Sequence, residues 1–334
     1  MNKYLFFRTD RIGDFLLSAV LLRSIKRNDK SSHITIVASE KNYDYIKNIS
    51  FIDKTILYPK STLKKIFFFL NIFKDDFYCC ASLDGKKKSI YACLLVKARC
   101  KIIFTTKYIY QFFLRLITKN VLYSIDFSTK IAEIQFILKI LNFNFKETDL
   151  NIFDNEHIKS LKDKSIIKSI NIENYIILHF DEKWIQELYI SKYNTIEPNV
   201  SQLELFFNNI VKSSSKNLVV TTGNIKLNIF QKIKENYENV SKNVFKKKIG
   251  DNGIYIIENL DFFELKELIF SCFIFISCHG APTHVASALN KKIIDIFNKN
   301  DEKWYKKWNS HLRNYDYLYR EKFEFLSEKI LKKL

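Results

Sequence analysis

Glycine is scarce in this chain, with six residues in 334. No G-x-G-x-x-G and no Walker A loop is present, so a dinucleotide oxidoreductase and a P-loop NTPase both lose the motif they depend on. H-E-x-x-H and a nucleophile-elbow serine are missing as well. There is no D-x-D to hold a metal-chelated sugar nucleotide. Long apolar runs are also lacking. The longest, Ile66–Phe73 and Leu268–Cys278, are interrupted by Asn71 or by Ser271 and Ser277 and stop well short of the ~20 residues a bilayer-spanning helix needs. The cysteines (79, 80, 93, 100, 272 and 278) form no C-x-x-C pair and sit mostly in apolar surroundings. They read as reduced core thiols of a cytosolic protein, with no metal site among them. A secretory signal is missing too, because Arg8 interrupts the first apolar run. The expectation is a cytoplasmic protein, soluble or peripheral to a membrane.

What the chain does have is positive charge, unevenly placed. Residues 1–150 hold 26 Lys and Arg against 13 Asp and Glu, whereas residues 151–334 hold 28 against 23. The amino-terminal half is therefore expected to meet something anionic: nucleic acid, anionic lipid or a phosphorylated substrate. Nucleic acid is set aside, because no helix-turn-helix, zinc-finger or RNP-type signature accompanies the charge.

A chain of this length suits two domains. Short β-branched or aromatic runs alternate with helix-period segments in both halves: Tyr4–Phe7, His33–Ala38, Lys54–Tyr58, Tyr78–Leu83 and Lys101–Phe104 in the first, Tyr175–Phe180, Leu218–Thr222, Gly253–Ile257, Phe273–Ser277 and Lys292–Phe297 in the second. That alternation predicts βαβ units and parallel sheets. The expected architecture is α/β, with two Rossmann-like, doubly wound domains facing each other across a cleft. Their expected extents are 1–155 and 170–316, with a polar crossing near Asn151–Asn174. A helix over 317–334 is expected to pack back on the first domain.

Three glycines follow predicted strands, Gly13, Gly223 and Gly280, where a close backbone approach or a helix entrance is wanted. The first lies in Arg8-Thr9-Asp10-Arg11-Ile12-Gly13-Asp14, between a strand and a helix. Such a loop offers free N–H groups and a dipole end to an anion; the plainer alternative is Asp14 as an N-cap beside solvated arginines. The last lies in Ser277-Cys278-His279-Gly280-Ala281-Pro282-Thr283-His284, which opens another helix with proline in its first turn. It places His279, Ala281, Thr283 and His284 beside a phosphate or sugar, or leaves both histidines as structural residues. A third loop, His179-Phe180-Asp181-Glu182-Lys183-Trp184, brings Lys183 to the end of a strand, either to offset a diphosphate or as a solvated side chain beside a core Trp184.

Together these loops resemble glycosyltransferase family 9, the bacterial heptosyltransferase family. The Arg8–Asp14 loop followed by Phe15-Leu16-Leu17 is similar to that family's amino-terminal Gly-Asp motif, and Lys183-Trp184 to its K-W pair. Gly280–Leu289 resembles its last glycine–histidine–alanine helix start, while Asp53–Leu57 and Leu83-Asp84-Gly85 match weaker segments. The last loop departs from the family's usual Asp-[Thr/Ser]-Gly-x-x-His: Cys278-His279-Gly280 replaces the aspartate, and one more residue separates Gly280 from His284.

The resemblance implies a GT-B fold and an inverting, metal-independent transfer, needing no cofactor, from a nucleoside-diphosphate sugar. ADP-heptose is the donor it points to first, and a lipid-linked, phosphorylated saccharide of lipopolysaccharide type is the acceptor. Asp14 would be the base, with Arg8, Asp10, Arg11 and Gly13 around the acceptor. Lys183, Thr222, Gly223, His279, Gly280, Ala281, Thr283 and His284 would hold the donor. The basic–aromatic stretches Leu63–Phe69 and Lys107–Arg115 would suit an anionic inner-membrane surface through their Lys and Arg, most of their apolar residues packing on the sheet. The competing reading is a non-catalytic nucleotide-sugar or polyanion-binding protein of the same descent.

Overall fold

The computed structural model describes residues 1–105, 108–123, 126–153, 172–185 and 197–334. They form two compact units: residues 1–154 with 306–311, and residues 155–305 with 312–334. Most of the expected crossing, residues 154–171, lies outside the described residues, as does Lys107.

The first unit is a six-stranded parallel sheet in the order β3-β2-β1-β4-β5-β6. Its strands are β1 (Lys3–Arg8), β2 (His33–Ala38), β3 (Lys54–Leu57), β4 (Phe77–Ser82), β5 (Ala98–Thr105) and β6 (Asn120–Tyr123). The helices between them are α1 (Ile12–Asn28), α2 (Tyr43–Ile46), α3 (Thr62–Phe73), α4 (Lys87–Leu95) and α5 (Tyr108–Arg115), and α6 (Lys130–Ile140) follows. β1 is buried along its length after Lys3, as a strand covered on both faces must be, which is why its sequence is a continuous apolar run. Leu5 and Phe7 of β1 join Phe68 and Ile72 of α3, Cys93 of α4 and Leu114 of α5 in one cluster. Those three helices therefore share a face of the sheet.

The second unit has eight strands in the order β14-β13-β12-β7-β8-β11-β10-β9. They are β7 (Tyr175–Phe180), β8 (Asn217–Thr222), β9 (Glu238–Ser241), β10 (Val244–Ile249), β11 (Asn252–Ile257), β12 (Ile274–Cys278), β13 (Lys292–Phe297) and β14 (Tyr315–Tyr319). The described helices are α7 (Val200–Ser214), α8 (Asn228–Lys234), α9 (Phe262–Ser271), α10 (Ala281–Ala288), α11 (Glu302–Trp308) and α12 (Phe323–Leu331). Side chains set the helix starts. Asn199 accepts from the Gln202 N–H while the Gln202 side chain accepts from the Asn199 N–H, and Asp261 with Glu264 does the same for α9.

Three elements depart from the sequence reading. β9 and β10 form an antiparallel edge on β11, turned at Gly250, whose φ of +59° suits glycine. Residues 317–334 are not one helix: Tyr317–Tyr319 ends a strand paired with β13, and only Phe323–Leu331 is helical. That helix packs in the second unit, not the first, because Phe323, Leu326 and Ile330 enter the core formed by Phe206 and Ile210 of α7. Conversely, residues 306–311 belong to the first unit, although a single second domain over 170–316 was expected.

Candidate functional site

In an open α/β sheet, ligands collect at the carboxyl ends of strands where the chain's winding reverses. In the second unit that point lies between β7 and β12, because β7 leads to β8 on one side and the chain later returns to β12 on the other. The loop after β7 is a short 3₁₀ turn, Glu182–Trp184. Trp184 anchors it: its indole is fully buried, stacks on Phe180 at 4.7 Å and donates to the His179 carbonyl at 2.9 Å. Asp181 caps the turn by accepting from the Lys183 N–H at 3.1 Å, and the turn folds the Lys183 ammonium back onto the Asp181 carboxylate. His179 stands 3.6 Å from the same oxygen and is itself bound to Thr221 at 2.9 Å.

Burial alone would raise the Asp181 carboxyl, but the Lys183 ammonium and His179 overcome it and hold the group well below the usual carboxylate range. Burial would likewise lower the Lys183 ammonium; the adjacent carboxylate outweighs it and leaves the ammonium above its ordinary value. Lys183 is thus a fixed cation, not the solvated side chain weighed as an alternative.

The two glycines converge on this turn. A Cβ at Gly280 would lie 2.7 Å from Lys183 Nζ, and one at Gly223 would lie 2.6 Å from Glu182 Oε2 and 2.9 Å from Asp181 Cβ. Neither needs an unusual φ; at Gly223 the Asp181 Cβ leaves no room for a side chain, and at Gly280 a Cβ would displace the Lys183 ammonium from its present position. Thr222 ends β8 opposite Phe180. Lys183, Gly280, Thr222 and Gly223 therefore lie close together at these strand ends.

Behind Gly280 lies a group that sequence reasoning missed. Asp295 is fully buried within β13. It takes a hydrogen bond from Tyr315 at 2.9 Å, pairs with His279 Nδ1 at 2.6 Å and receives the Thr283 hydroxyl at 3.3 Å. Thr283 thus faces the protein interior, and Ala281 begins α10. The His279 ring meets those of Tyr305 and His284 edge-on at 4.7 and 5.2 Å, and His284 is buried. The signal was present: a carboxylate in the middle of the otherwise apolar Lys292–Phe297 strand needs partners to be buried.

In the first unit the chain reverses between β1 and β4. Asp84, after β4, accepts from the Thr9 N–H at 3.1 Å, the Thr9 hydroxyl at 2.6 Å and Ser89 at 2.8 Å, joining the two loops. Gly85 follows with a φ of +63°. Arg8 is not solvated: it is buried and donates to the Asp14 carbonyl at 2.6 Å and the Leu83 carbonyl at 2.6 Å. Its guanidinium braces the start of α1, so any contact it makes with an acceptor comes second to that. Arg11 is exposed and is itself the N-cap. Asp14 sits three residues into the turn, its carboxylate accepting from the Arg11 N–H at 3.4 Å and lying 4.0 Å from Arg8. Gly13 lies between them.

Asp10 is the electrostatic exception here. Burial first, then the neighbouring Asp14 and Asp84 charges, push its carboxyl up to about 6, with Arg8 at 3.3 Å offsetting part of the rise. Between about pH 4 and 6 the folded chain then holds a proton that the unfolded chain has released, so stability falls as pH rises through that window. An Asp10→Asn variant is expected to remove this slope and to gain up to about 3 kcal/mol at neutral pH. Urea unfolding at pH 4.5 and pH 7.5 measures it; equal or lower stability of the variant at pH 7.5 would contradict the reading.

Among the described residues, no group of three or more His, Cys, Asp or Glu side chains is placed to hold a metal ion. Residues 221–334 match the model of glycosyltransferase family 9 (heptosyltransferase). No curated protein sequence matches the chain. Three solved structures share its fold: Escherichia coli heptosyltransferase WaaC with ADP (TM-score 0.67, 10% identity, covering 99% of this chain and 100% of that one), E. coli ADP-heptose lps heptosyltransferase II (0.67, 11%, 100% and 97%), and the glycosyl transferase family 9 protein of Veillonella parvula (0.64, 13%, 100% and 90%). Residues 221–334 are thus similar in sequence to glycosyltransferase family 9, and the chain as a whole has the GT-B-like fold of these heptosyltransferase structures.

Proposed function

We propose that the protein transfers a heptose-type sugar from a nucleoside diphosphate to a lipid-linked, phosphorylated saccharide, with inversion and without a metal. The observation that carries the donor side is the fixed Lys183 ammonium packed against Gly280 at the second unit's switch point. A departing diphosphate carries charge that something must offset. Here Lys183 and the amino-terminal end of α10 would do so, with His279, held by Asp295, beside them. Thr222 and Gly223 would approach the nucleotide. Support for an adenine nucleotide comes from the structures of E. coli WaaC with ADP and with ADP-2-deoxy-2-fluoro heptose.

On the acceptor side, Asp14 would take the proton of the attacking hydroxyl as the anomeric C–O bond to the diphosphate breaks. Asp10, Arg11 and Gly13 would flank it, with Arg8 fixing the turn. Transfer of this kind needs the donor and acceptor oriented as a pair and water kept out, which limits hydrolysis. A donor of this kind places the reaction on the cytoplasmic side of the membrane that holds the acceptor.

A thermal-shift screen of nucleoside diphosphates and their sugars, followed by product analysis in excess chelator, tests this. A ligand at a hundred times its Kd stabilises by about 2.7 kcal/mol, and ADP-heptose should both stabilise and be consumed when acceptor is added. No stabilisation by any nucleotide sinks the donor site. Saturable binding without turnover would favour the non-catalytic reading, for which Cys278-His279-Gly280 in place of the family's loop aspartate is the motive.

A further inference from the structure

Beneath α3 the first unit leaves a space that its core does not fill. Of α3, only Phe68 and Ile72 are buried, while Leu63, Ile66, Phe67 and Leu70 are exposed. On α5, Phe112 and Phe113 are exposed and Leu114 packs inward. The expectation that most apolar residues of these two stretches pack on the sheet is therefore corrected. For α3 the reason is a cavity of about 680 Å³ between the helix and the sheet, walled by Leu5, Ile56, Phe67, Phe68, Ile72 and Phe77. Protein interiors leave few voids larger than a water molecule, and this one falls within the ~300–1,000 Å³ typical of small-molecule sites. Lining residues on α3 run from Lys64 to Ile72, about 12 Å of helix at ~1.5 Å per residue. The space is elongated as well as apolar.

Its polar groups gather where the strands begin. Leu5, Thr35 and Lys54 are register partners across β1, β2 and β3, and all three line the cavity. The Thr35 and Lys54 side chains therefore rise side by side from one face of the sheet. Thr35 is 5% exposed, and its hydroxyl makes no hydrogen bond among the described residues. A buried hydroxyl left so costs free energy that a ligand can relieve. Lys54 is exposed on the rim and makes no ion pair among the described residues. The acids beside it are already taken: Asp75, also on the lining, pairs with Lys3 at 2.5 Å, and Asp53 pairs with Lys26 at 2.8 Å. His33, opposite Lys3 in the next row, adds no negative charge. A cation and an unmet hydroxyl at the head of a long apolar space match an anionic group on a hydrocarbon chain.

We infer that this cavity binds a single-chain aliphatic carboxylate, the carboxylate held between Lys54 and the Thr35 hydroxyl and the chain lying between α3 and the sheet. Because Thr35 is buried, the anionic group enters the fold, which a headgroup staying in a bilayer surface would not do. The cavity is also separate from the Arg8–Asp14 and Leu83–Gly85 loops. Those follow the carboxyl ends of β1 and β4, whereas Lys3, His33 and Lys54 begin their strands. Binding is measured without nucleotide or acceptor, so its outcome and that of the transfer reaction are independent.

Isothermal titration calorimetry of the full chain with dodecanoate, below its micelle concentration and without vesicles, tests this. One saturable site is expected, with dodecylammonium binding about tenfold or more weaker because its charge meets Lys54. Thr35→Val with Lys54→Gln should weaken dodecanoate by about tenfold or more, the loss of a charge-assisted contact, while dodecanol binding changes by less than about twofold. Valine keeps the shape of threonine and Lys54 is exposed, so circular dichroism should be unchanged. Ile56→Trp, which puts an indole into the cavity, should abolish binding of both ligands and leave nucleoside diphosphate binding intact. No saturable site, equal affinity for dodecylammonium, or undiminished dodecanoate binding in either variant overturns the proposal. So does an equal loss of dodecanol in the Thr35→Val, Lys54→Gln variant, which would remove the carboxylate from its assigned place.

Discussion

Lys183→Met is expected to cost about 3–5 kcal/mol of stability, the usual penalty for stranding one member of a buried ion pair. The reason lies in Asp181, which is 3% exposed and whose low carboxyl pKa depends, against burial, on the Lys183 ammonium and His179. Remove the ammonium and the carboxylate must stay charged without its partner or take up a proton. In the native chain the folded carboxyl titrates below the unfolded value of about 3.9. Its contribution is therefore fully present above about pH 4 and is lost only as pH falls towards the lower folded value. Lys183→Met should bring acid unfolding to higher pH. Adding Asp181→Asn to Lys183→Met should restore most of the stability without restoring the diphosphate site. Nucleoside diphosphate binding, measured by calorimetry, should remain about 30-fold or more weaker in both variants. A double variant that binds normally would show that Lys183 only neutralises Asp181.

That pairing marks a limit of what the sequence discloses. The letters of His179–Trp184 identify a strand end and a cation, but the contact is between residues two apart and exists only because the 3₁₀ turn folds Lys183 back. Strands β1, β2, β7 and β13 were legible because sheets covered on both faces demand largely apolar runs, even where one polar residue such as Asp295 interrupts them. The β9–β10 edge was not, since Lys246–Lys248 read as solvated chain until pairing with β11 is known. β14 was hidden in the same way by Asp316 among its tyrosines. The α3 stretch failed in the opposite direction. Its apolar letters fixed a helix correctly, but they said nothing of how few would meet the sheet. Arg8 illustrates the remaining gap: an arginine in a loop looks free, yet here its guanidinium holds the backbone carbonyls of both switch-point loops.

Asp14→Asn is expected to lower kcat by about 10²–10⁴-fold, the range for loss of a positioned base, while nucleoside diphosphate affinity and folding change little. The structural role of this carboxylate is slight: it accepts one long hydrogen bond, from the Arg11 N–H at 3.4 Å, and lies 4.0 Å from Arg8. An asparagine oxygen can keep the first of these, and Arg8 retains its two carbonyl partners. A merely structural part for Asp14 thus predicts a small change in both stability and rate, whereas a base predicts a large change in rate alone. Asp10 is the control within the same loop. Its carboxyl, raised to about 6 by burial and by the neighbouring Asp14 and Asp84 charges, would leave an acid limb near pH 6 in the rate profile if it were the base. Asp10→Asn would then abolish both limb and activity, and Asp14→Asn would leave them. With Asp14 as the base, Asp10→Asn retains turnover in a more stable protein, because removing the buried charge relieves repulsion without touching the proton acceptor.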